Sequence, residues 1–567
     1  PAVSALTGPH VEPLHHAPSE KNIITWQNKS QGNLIISYNK IEGTKGWSLM
    51  KIVSVAEMQK VEKHADVNGL SYAQMMHNAG GGITNWLLSH ADVHHGVVGL
   101  VGSGNNGGDT LIALTGLSQR GIRTVACLVK QRSKDALLEV YESSGGIVVD
   151  LFGNQSLEPL EAALDAGMIL LDGILGTGLK LPIRGDFAGV MARISKIVQK
   201  RSKSLKIAVD CPSGVDCDSG DVADGAITAD FTLCMAAIKK GLLKHPGRSF
   251  CGKFQLINIG LSEETRGIMN DLPDMVDQPY VSKHTPNRWE SGHKGTFGTC
   301  QVVAGSRAFT GAAYLAGKAA YLSGCGLVNV GTVEGVYRNI SGQLIEAIWT
   351  ILPDVEGAYA EIGVISLKPS LAKADALVIG PGLGFCHENV KFLSKLLRAI
   401  PSALPTVIDA DGLNLLGEID YWWDVLPKDT ILTPHPGEMS KLSGLGIDEI
   451  QGNRWQIALD FAQKWGVVLI LKGAMTVIAT PAGALHIIPV SDSALATAGS
   501  GDVLAGLIGG LLAQGNSVST AALCGAWLHA QAGLFAREWV GTANCVTALD
   551  ILENLLEAFF KIKHAGN

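Results

Sequence analysis

From Met50 onward, short wholly apolar runs alternate with amphipathic stretches. Gly96–Val101, Arg123–Val129, Met168–Leu171, Lys206–Val209, Phe231–Ala236 and Phe254–Ile259 read as strands. The stretches between most of them carry helical spacing. Runs such as VVGLV have no polar alternation, so both faces of these strands are expected to be covered. Strand and helix in alternation predict an α/β unit with a parallel sheet and helices on both sides.

Residues 261–290 (LSEETRGIMNDLPDMVDQPYVSKHTPNRWE) are polar and contain prolines, and they break the pattern. A second α/β set follows: Thr299–Val303, Gly326–Val330, Asp375–Ile379, Thr406–Ile408, Thr430–Leu432 and Val467–Leu471. A Gly-Asp turn at 499–502 and a run of three helices close it. The expected organisation is an extension without fixed structure over 1–49, a first domain over 50–260, a linker over 261–290 and a second domain over 291–563. The two halves show no repeat, and each has its own glycine signature, so two unrelated active sites are expected.

Composition narrows the reading. The 567 residues are 46% hydrophobic and include 68 glycines, which suits many strand-to-helix turns. The net charge of −7 is spread out, and no basic block offers a footprint for nucleic acid. No apolar run is long enough to span a membrane. Val503–Ala513 is rich in glycine and reads as a buried core helix. The ten cysteines form no CxxC and no zinc-like spacing. They read as small buried hydrophobes in a reducing, cytoplasmic compartment.

In the first half, VGLVGSGNNGGDTLIAL runs a strand through Gly102, Gly104 and Gly107 into a helix. That G-x-G-x-x-G context suits phosphate binding by free backbone N–H groups. The acidic residue that would hold a ribose 2′-hydroxyl is missing, because the next strand ends Leu128-Val129-Lys130-Gln131-Arg132. Surface solvation is the expected role of Lys130 and Arg132, with tolerance of a 2′-phosphate as the alternative. Two further strand ends carry polar loops, one at Asp172–Lys180 and one at Asp210–Asp216. Asn106, Asp172 and Ser213 offer hard oxygens suited to a cation without transition-metal chemistry. The alternative for Asp172 and Asp210 is turn capping alone.

In the second half, Ala496–Gly506 (ATAGSGDVLAG) opens a long apolar helix. Unpaired N–H groups and the helix dipole make an anion hole there. Asp502 at its mouth is placed to accept a proton from a substrate hydroxyl, or else merely caps the helix. Gly380–Gly384, Asp409–Gly412 and Thr433–Glu438 follow other strands. Leu471-Lys472-Gly473-Ala474 sets a cation where a nucleotide phosphate could lie. No GxxxxGK[ST] loop occurs.

Met50-KIVSVAEMQ, Asn78-Ala79-Gly80, GSGNNGGD, DGILGTG and VDCPSGVD together resemble the NAD(P)H-hydrate epimerase family over about residues 50–260. The resemblance implies a Rossmann-like fold, interconversion of the R and S epimers of 6-hydroxylated NAD(P)H, and a bound K+ ion. It implies substrate contacts from Asn105, Asn106, Gly107, Gly108 and Asp109, and from Gly176, Thr177, Gly178, Leu179, Lys180, Leu181 and Pro182. Asp210 would hold the substrate and act as acid/base, and Asn106, Asp172 and Ser213 would bind K+. His77 departs from the glutamate the family often has before Asn-Ala-Gly.

The motifs HKGTFGTCQVVAGSRAFTGAAYLAGKAAYLSGCGLVNV, VIGPGLG, TPHPGEM, LKGAMTV and TAGSGDVLAG resemble the ADP/ATP-dependent NAD(P)H-hydrate dehydratase family of ribokinase-like fold over about 290–560. The implied reaction dehydrates the S epimer, coupled to nucleotide hydrolysis, with Asp502 as base. Ala313, Gly384, His435 and Asp502 would contact the hydrated cofactor. Lys472, Gly473, Ala474, Met475, Thr476 and Gly501 would hold the nucleotide, and Glu438 would help organise Mg2+. Fusion of the two resembles the bacterial form, which favours ADP over ATP. The expected partners are NADHX, NADPHX and an adenine nucleotide, with no nucleic acid and no membrane, in a homo-oligomer. Two rivals remain: a ribokinase-type small-molecule kinase, and a nucleotide-binding sensor in the first half.

Overall fold

The computed structural model describes residues 49–132, 135–152 and 156–564. The expected extension over 1–49 therefore falls, but for its last residue, outside the described residues. The chain is α/β throughout. A seven-stranded, all-parallel sheet runs in the order Ile147–Asp150, Thr124–Leu128, Val97–Val101, Ile169–Gly173, Lys206–Val209, Phe231–Met235 and Lys253–Ile257. Six of these strands were legible as apolar runs, and only the edge strand Ile147–Asp150, which is largely exposed, was not. One apolar cluster packs Ile83, Leu87, Leu111 and Leu114 on one face, and another packs Leu160, Met191 and Ile194 on the other.

Strand order reverses between Val97–Val101 and Ile169–Gly173. Beyond the carboxyl ends of such a junction a crevice opens, where ligands of doubly wound sheets bind. The second sheet repeats the device, with Thr299–Val303 between Leu327–Val333 and Ala376–Ile379. Its parallel part continues through Thr406–Ile408, Thr430–Leu432 and Val468–Leu471. Helices Ser500–Ala513, Val518–Val540 and Ala548–His564 close the fold, and the first is the expected buried core helix.

The second sheet does not stop there. The antiparallel strands Val477–Ala479 and Leu485–Ile487 extend it to Asp274–Met275, Met50–Val53 and Ile238–Lys239, twelve strands in all. The stretch 261–290, read as a linker, contributes one of these strands and the helices Glu263–Gly267 and Gln278–His284. Strands from both halves of the chain thus share one sheet. Among the described residues no helix is long and apolar enough to cross a membrane. Eight cysteines are buried, Cys386 is half-buried and Cys545 is exposed.

Candidate functional site

At the first switch point the glycine loop turns directly into the helix Asn105–Ser118, with Gly104 as its N-cap. A Cβ at Gly107 would stand 2.1 Å from the Gly102 carbonyl oxygen, so the loop closes only around a bare backbone. Asn105 is exposed, whereas Asn106, Gly107, Gly108 and Asp109 are buried beneath it. The loop Gly176, Thr177, Gly178, Leu179, Lys180, Leu181 and Pro182 lies alongside, half-buried to exposed.

The three expected cation ligands meet at this point. Ser213 donates to Asp172 from its backbone N–H (2.8 Å) and from Oγ (2.5 Å). The Asn106 amide donates to the Val209 carbonyl (2.6 Å) and more weakly to that of Leu175 (3.3 Å). Its Oδ1 faces Gly176, where a Cβ would approach to 2.3 Å. Asp172 is 1% exposed. Burial pushes its carboxyl up to about 6, and the Ser213 hydrogen bonds only partly offset this. Among the described residues no lysine or arginine pairs with it. An all-oxygen set carrying one uncompensated buried carboxylate fits a hard monovalent cation.

Asp210 follows the strand Lys206–Val209 with a positive φ of 64°, rare for a residue with a side chain. Its Oδ1 accepts from the Met235 N–H (2.9 Å) and from Lys239 Nζ. Lys239 is 1% exposed, and its ammonium also reaches the carbonyls of Met235 and Ala237 at 3.3 Å. Burial alone would lower the lysine pKa, but the Asp210 carboxylate more than offsets it and the pKa rises. Burial, reinforced by the Asp210 and Glu62 carboxylates, pushes the Asp109 carboxyl well up. The pocket therefore sets the buried Asp210–Lys239 ion pair near a carboxyl, Asp109, whose proton affinity burial raises.

Lys239 and Glu62 were missed in the sequence. The visible signal was a lysine inside the apolar run CMAAIKKGLL, whose partner lies 29 residues away. Arg132 needs correction. It is not a solvated surface group, since Nη1 donates to the Gly102 carbonyl (2.9 Å) and Nη2 pairs with Asp135 (2.6 Å). It braces the glycine loop, a role that only the fold brings within reach. Lys130 lies over the Phe187 ring at 3.9 Å.

At the second site a cavity of about 620 Å³ is lined by Lys472, Gly473, Ala474, Thr476, Gly501 and His435, with Ile488, Val490, Leu504 and Ala526 on its apolar side. That volume suits a nucleotide-sized ligand. Met475 is buried behind it, with φ 53°. Gly501 and Asp502 occupy the first turn of the helix Ser500–Ala513, where backbone N–H groups are unpaired by the helix itself. Lys472 Nζ bonds Asp409 Oδ1 (2.7 Å) and lies 3.7 Å from Glu438. His435 stands exposed at the rim, and its ring accepts from the Gly437 N–H.

Asp502 and Glu438 are both pushed up to about 7, chiefly by burial and then, respectively, by the repulsion of Asp409 and against the pull of Lys472. Three carboxylates around one lysine leave an excess of negative charge that suits a divalent cation. No group of three or more His, Cys, Asp or Glu among the described residues is placed to hold a metal alone. A magnesium ion would therefore share its coordination with nucleotide phosphates, as it commonly does. Gly384 joins the site through its N–H bond to Asp411 Oδ2 (2.8 Å), since Asp411 adds to the field at Asp502. Ala313 is fully buried on the helix Thr310–Leu322, and the structure does not bring its side chain to the cavity.

Two sheets, each with a candidate site beyond the carboxyl ends of its parallel strands, define a two-centre α/β enzyme. The family described as NAD(P)H-hydrate dehydratase matches residues 300–556, and the one described as YjeF-related protein N-terminus matches residues 72–241. The bifunctional NAD(P)H-hydrate repair enzyme of Moorella thermoacetica is 35% identical over 497 residues, covering 85% of this chain and 92% of the relative. That of Thermofilum pendens is 32% identical over 517 residues, covering 90% and 97%. The solved ADP/ATP-dependent NAD(P)H-hydrate dehydratase of Bacillus subtilis, co-crystallized with ATP/Mg2+, is 31% identical, covers 51% of this chain and 98% of its own, and has a TM-score of 0.43. The chain belongs to the family of bifunctional NAD(P)H-hydrate repair enzymes.

Proposed function

We propose that the first half, within 50–260, epimerises R and S NAD(P)HX, and that the second, within 291–563, dehydrates the S epimer with ADP, or ATP, as phosphoryl donor. The observation that carries the reading is Asp502 at a helix N-terminus beside the Lys472-lined cavity, in a chain whose two halves match the two families.

Hydroxide is a poor leaving group and phosphate a good one. Asp502 takes the proton of the C6 hydroxyl as that oxygen attacks the terminal phosphoryl group of the nucleotide. The C6–O bond then breaks with loss of inorganic phosphate, helped by the ring nitrogen, and a proton leaves C5 to form the double bond. The balance is S-NAD(P)HX and ADP giving NAD(P)H, AMP and phosphate. The N–H groups of Gly501 and Asp502, with Lys472, hold the transferring phosphoryl group. Gly473, Ala474, Met475 and Thr476 carry the rest of the nucleotide, and Gly384 and His435 face the hydrated cofactor. Glu438 would help hold a magnesium ion, which would neutralise charge on the phosphates.

In the first site Asp210 acts as acid/base, with Lys239 fixing its charge and direction. The glycine loop and the loop 176–182 hold the substrate. Asn106, Asp172 and Ser213 would hold K+, which would supply a fixed positive charge beside the substrate.

Absorbance at 340 nm, with mixed R/S NADHX in potassium and magnesium buffer, tests both halves. Full recovery of NADH is expected only with nucleotide. Asp502→Ala should abolish it, and Asp210→Ala should leave a fast S phase followed by slow spontaneous epimerisation. No nucleotide-dependent recovery by the wild type would sink the dehydratase reading and send the search to small alcohols as kinase substrates.

A further inference from the structure

The dehydratase reading assigns the phosphates to Lys472 and the helix Ser500–Ala513, but leaves unexplained why a full carboxylate lies beneath them. Asp409, at the end of the strand Thr406–Ile408, is 1% exposed. Its Oδ1 takes two short bonds, from Thr433 Oγ1 (2.6 Å) and Lys472 Nζ (2.7 Å). Its Oδ2 is buried and has no hydrogen-bond partner. Fold stability alone disfavours such an oxygen, so a charged side chain here calls for another explanation.

The location supplies one. A Cβ built on Gly501 would stand 3.2 Å from Asp409 Oδ2 and 3.3 Å from Lys472 Nζ. The carboxylate and the ammonium therefore lie side by side directly against the first turn of the helix. Thr433, fully buried, fixes the carboxylate from the neighbouring strand. Among the described residues the only other anion bridging to Lys472 is Glu438, at 3.7 Å and on the His435 side. Without Asp409 the flexible lysine stem would carry the ammonium toward Glu438, away from Gly501.

We infer that Asp409 is a positioning residue of the nucleotide site: it clamps the Lys472 ammonium against the N-terminal turn at Gly501, so that lysine and helix meet the same phosphate. The inference rests on the dehydratase reading. It concerns neither the proton acceptor nor a ligand contact of Asp409 itself, because Lys472 and Gly501 line the cavity and Asp409 lies behind its lining.

The test is a double-mutant cycle on the full chain, read by calorimetric binding of ADP and of ATP with magnesium, and by steady-state dehydration. Asp409→Asn keeps shape and removes charge. It should weaken nucleotide binding about tenfold and raise the nucleotide KM by the same factor, with kcat changed less than about threefold and the KM for S-NADHX unchanged. Lys472→Met should weaken binding further, and Asp409→Asn added to it should change the affinity less than about twofold, since the residue it acts through is gone. Epimerase turnover in each protein reports folding and should stay at the wild-type value. Equal nucleotide affinity in wild type and Asp409→Asn overturns the positioning role while the dehydratase reading stands. Losses that multiply in the double variant overturn it as well, marking a generally structural residue. Failure of the wild type to bind either nucleotide overturns both.

Discussion

Asp502 is half-buried among Asp409, Asp411 and Glu438, and burial followed by their repulsion lifts its carboxyl to about 7. A base must be ionised to accept a proton, so dehydration should rise with pH through about 7 and level off above it. Asp502→Asn should remove the rate at every pH, by about 10²-fold or more, and a wild-type rate flat from pH 5.5 to 8.5 would exclude Asp502 as the base. In the other half Lys239 sits 1% exposed against Asp210. Lys239→Met leaves that buried carboxylate without its cation, a loss of about 3 kcal/mol or more for a broken buried pair. Epimerisation should fall about 10²-fold while nucleotide-dependent NADH release from pure S epimer is unchanged. An equal fall in both would mean the domain had merely unfolded. The sequence marked Asp502 because a Gly-Ser-Gly-Asp string opening an apolar helix has one obvious use. It marked Lys239 only as a lysine inside an apolar run, and its partner Asp210 lies 29 residues away, beyond any local pattern.

At the scale of elements, what was legible was what is locally determined. The buried central strands Thr299–Val303, Thr406–Ile408 and Thr430–Leu432 fall where their apolar runs placed them. The helix Asn105–Ser118 begins at the glycine loop. The loop's tightness is itself testable, since Gly107 packs where a methyl group would collide with the Gly102 carbonyl at 2.1 Å. Backbone cannot yield as a side-chain end can, so Gly107→Ala should cost the first half roughly 2–4 kcal/mol. Its thermal transition should fall and epimerisation should be lost. Wild-type epimerase activity in that variant would show that the loop has more room than this packing leaves it. Of the strands that escaped the sequence reading, Ile147–Asp150 and Ile348–Leu352 lie at sheet edges and are largely exposed, and the shortest exist only through distant partners. Asp274–Met275 has two residues, too few for any periodicity, and it becomes a strand only by lying between Met50–Val53 and Leu485–Ile487.

Those same short strands decide how the whole molecule is joined. Lys51 and Asp274 are register partners, and so are Asp274 and His486, so one row of charge crosses from the strand at the start of the first half to the hairpin that follows the nucleotide loop. Lys51 bonds Asp274 at 2.9 Å, and His486 Nδ1 stands 3.7 Å from the same carboxylate. The His486 side chain is 12% exposed. Burial, with Lys51 adding to it, holds the imidazole neutral and pushes its pKa down to about 4. An unfolded histidine titrates near 6.5. Between these values the unfolded chain binds the proton and the folded one does not, so stability from this residue is complete above about 6.5 and is lost as pH falls toward 4. The full loss is about 3 kcal/mol. Buried carboxylates such as Asp277, pushed up to about 7, act with the opposite sign, so the total slope alone does not isolate the seam. The difference between wild type and His486→Gln does, because glutamine keeps a polar neighbour for Asp274 without titrating. The urea midpoint of the wild type should fall relative to the variant between pH 7.5 and 5, and the gap should close above pH 7. A constant gap across that range would mean that His486 is not held neutral, and that the row joining the two halves is solvated rather than buried.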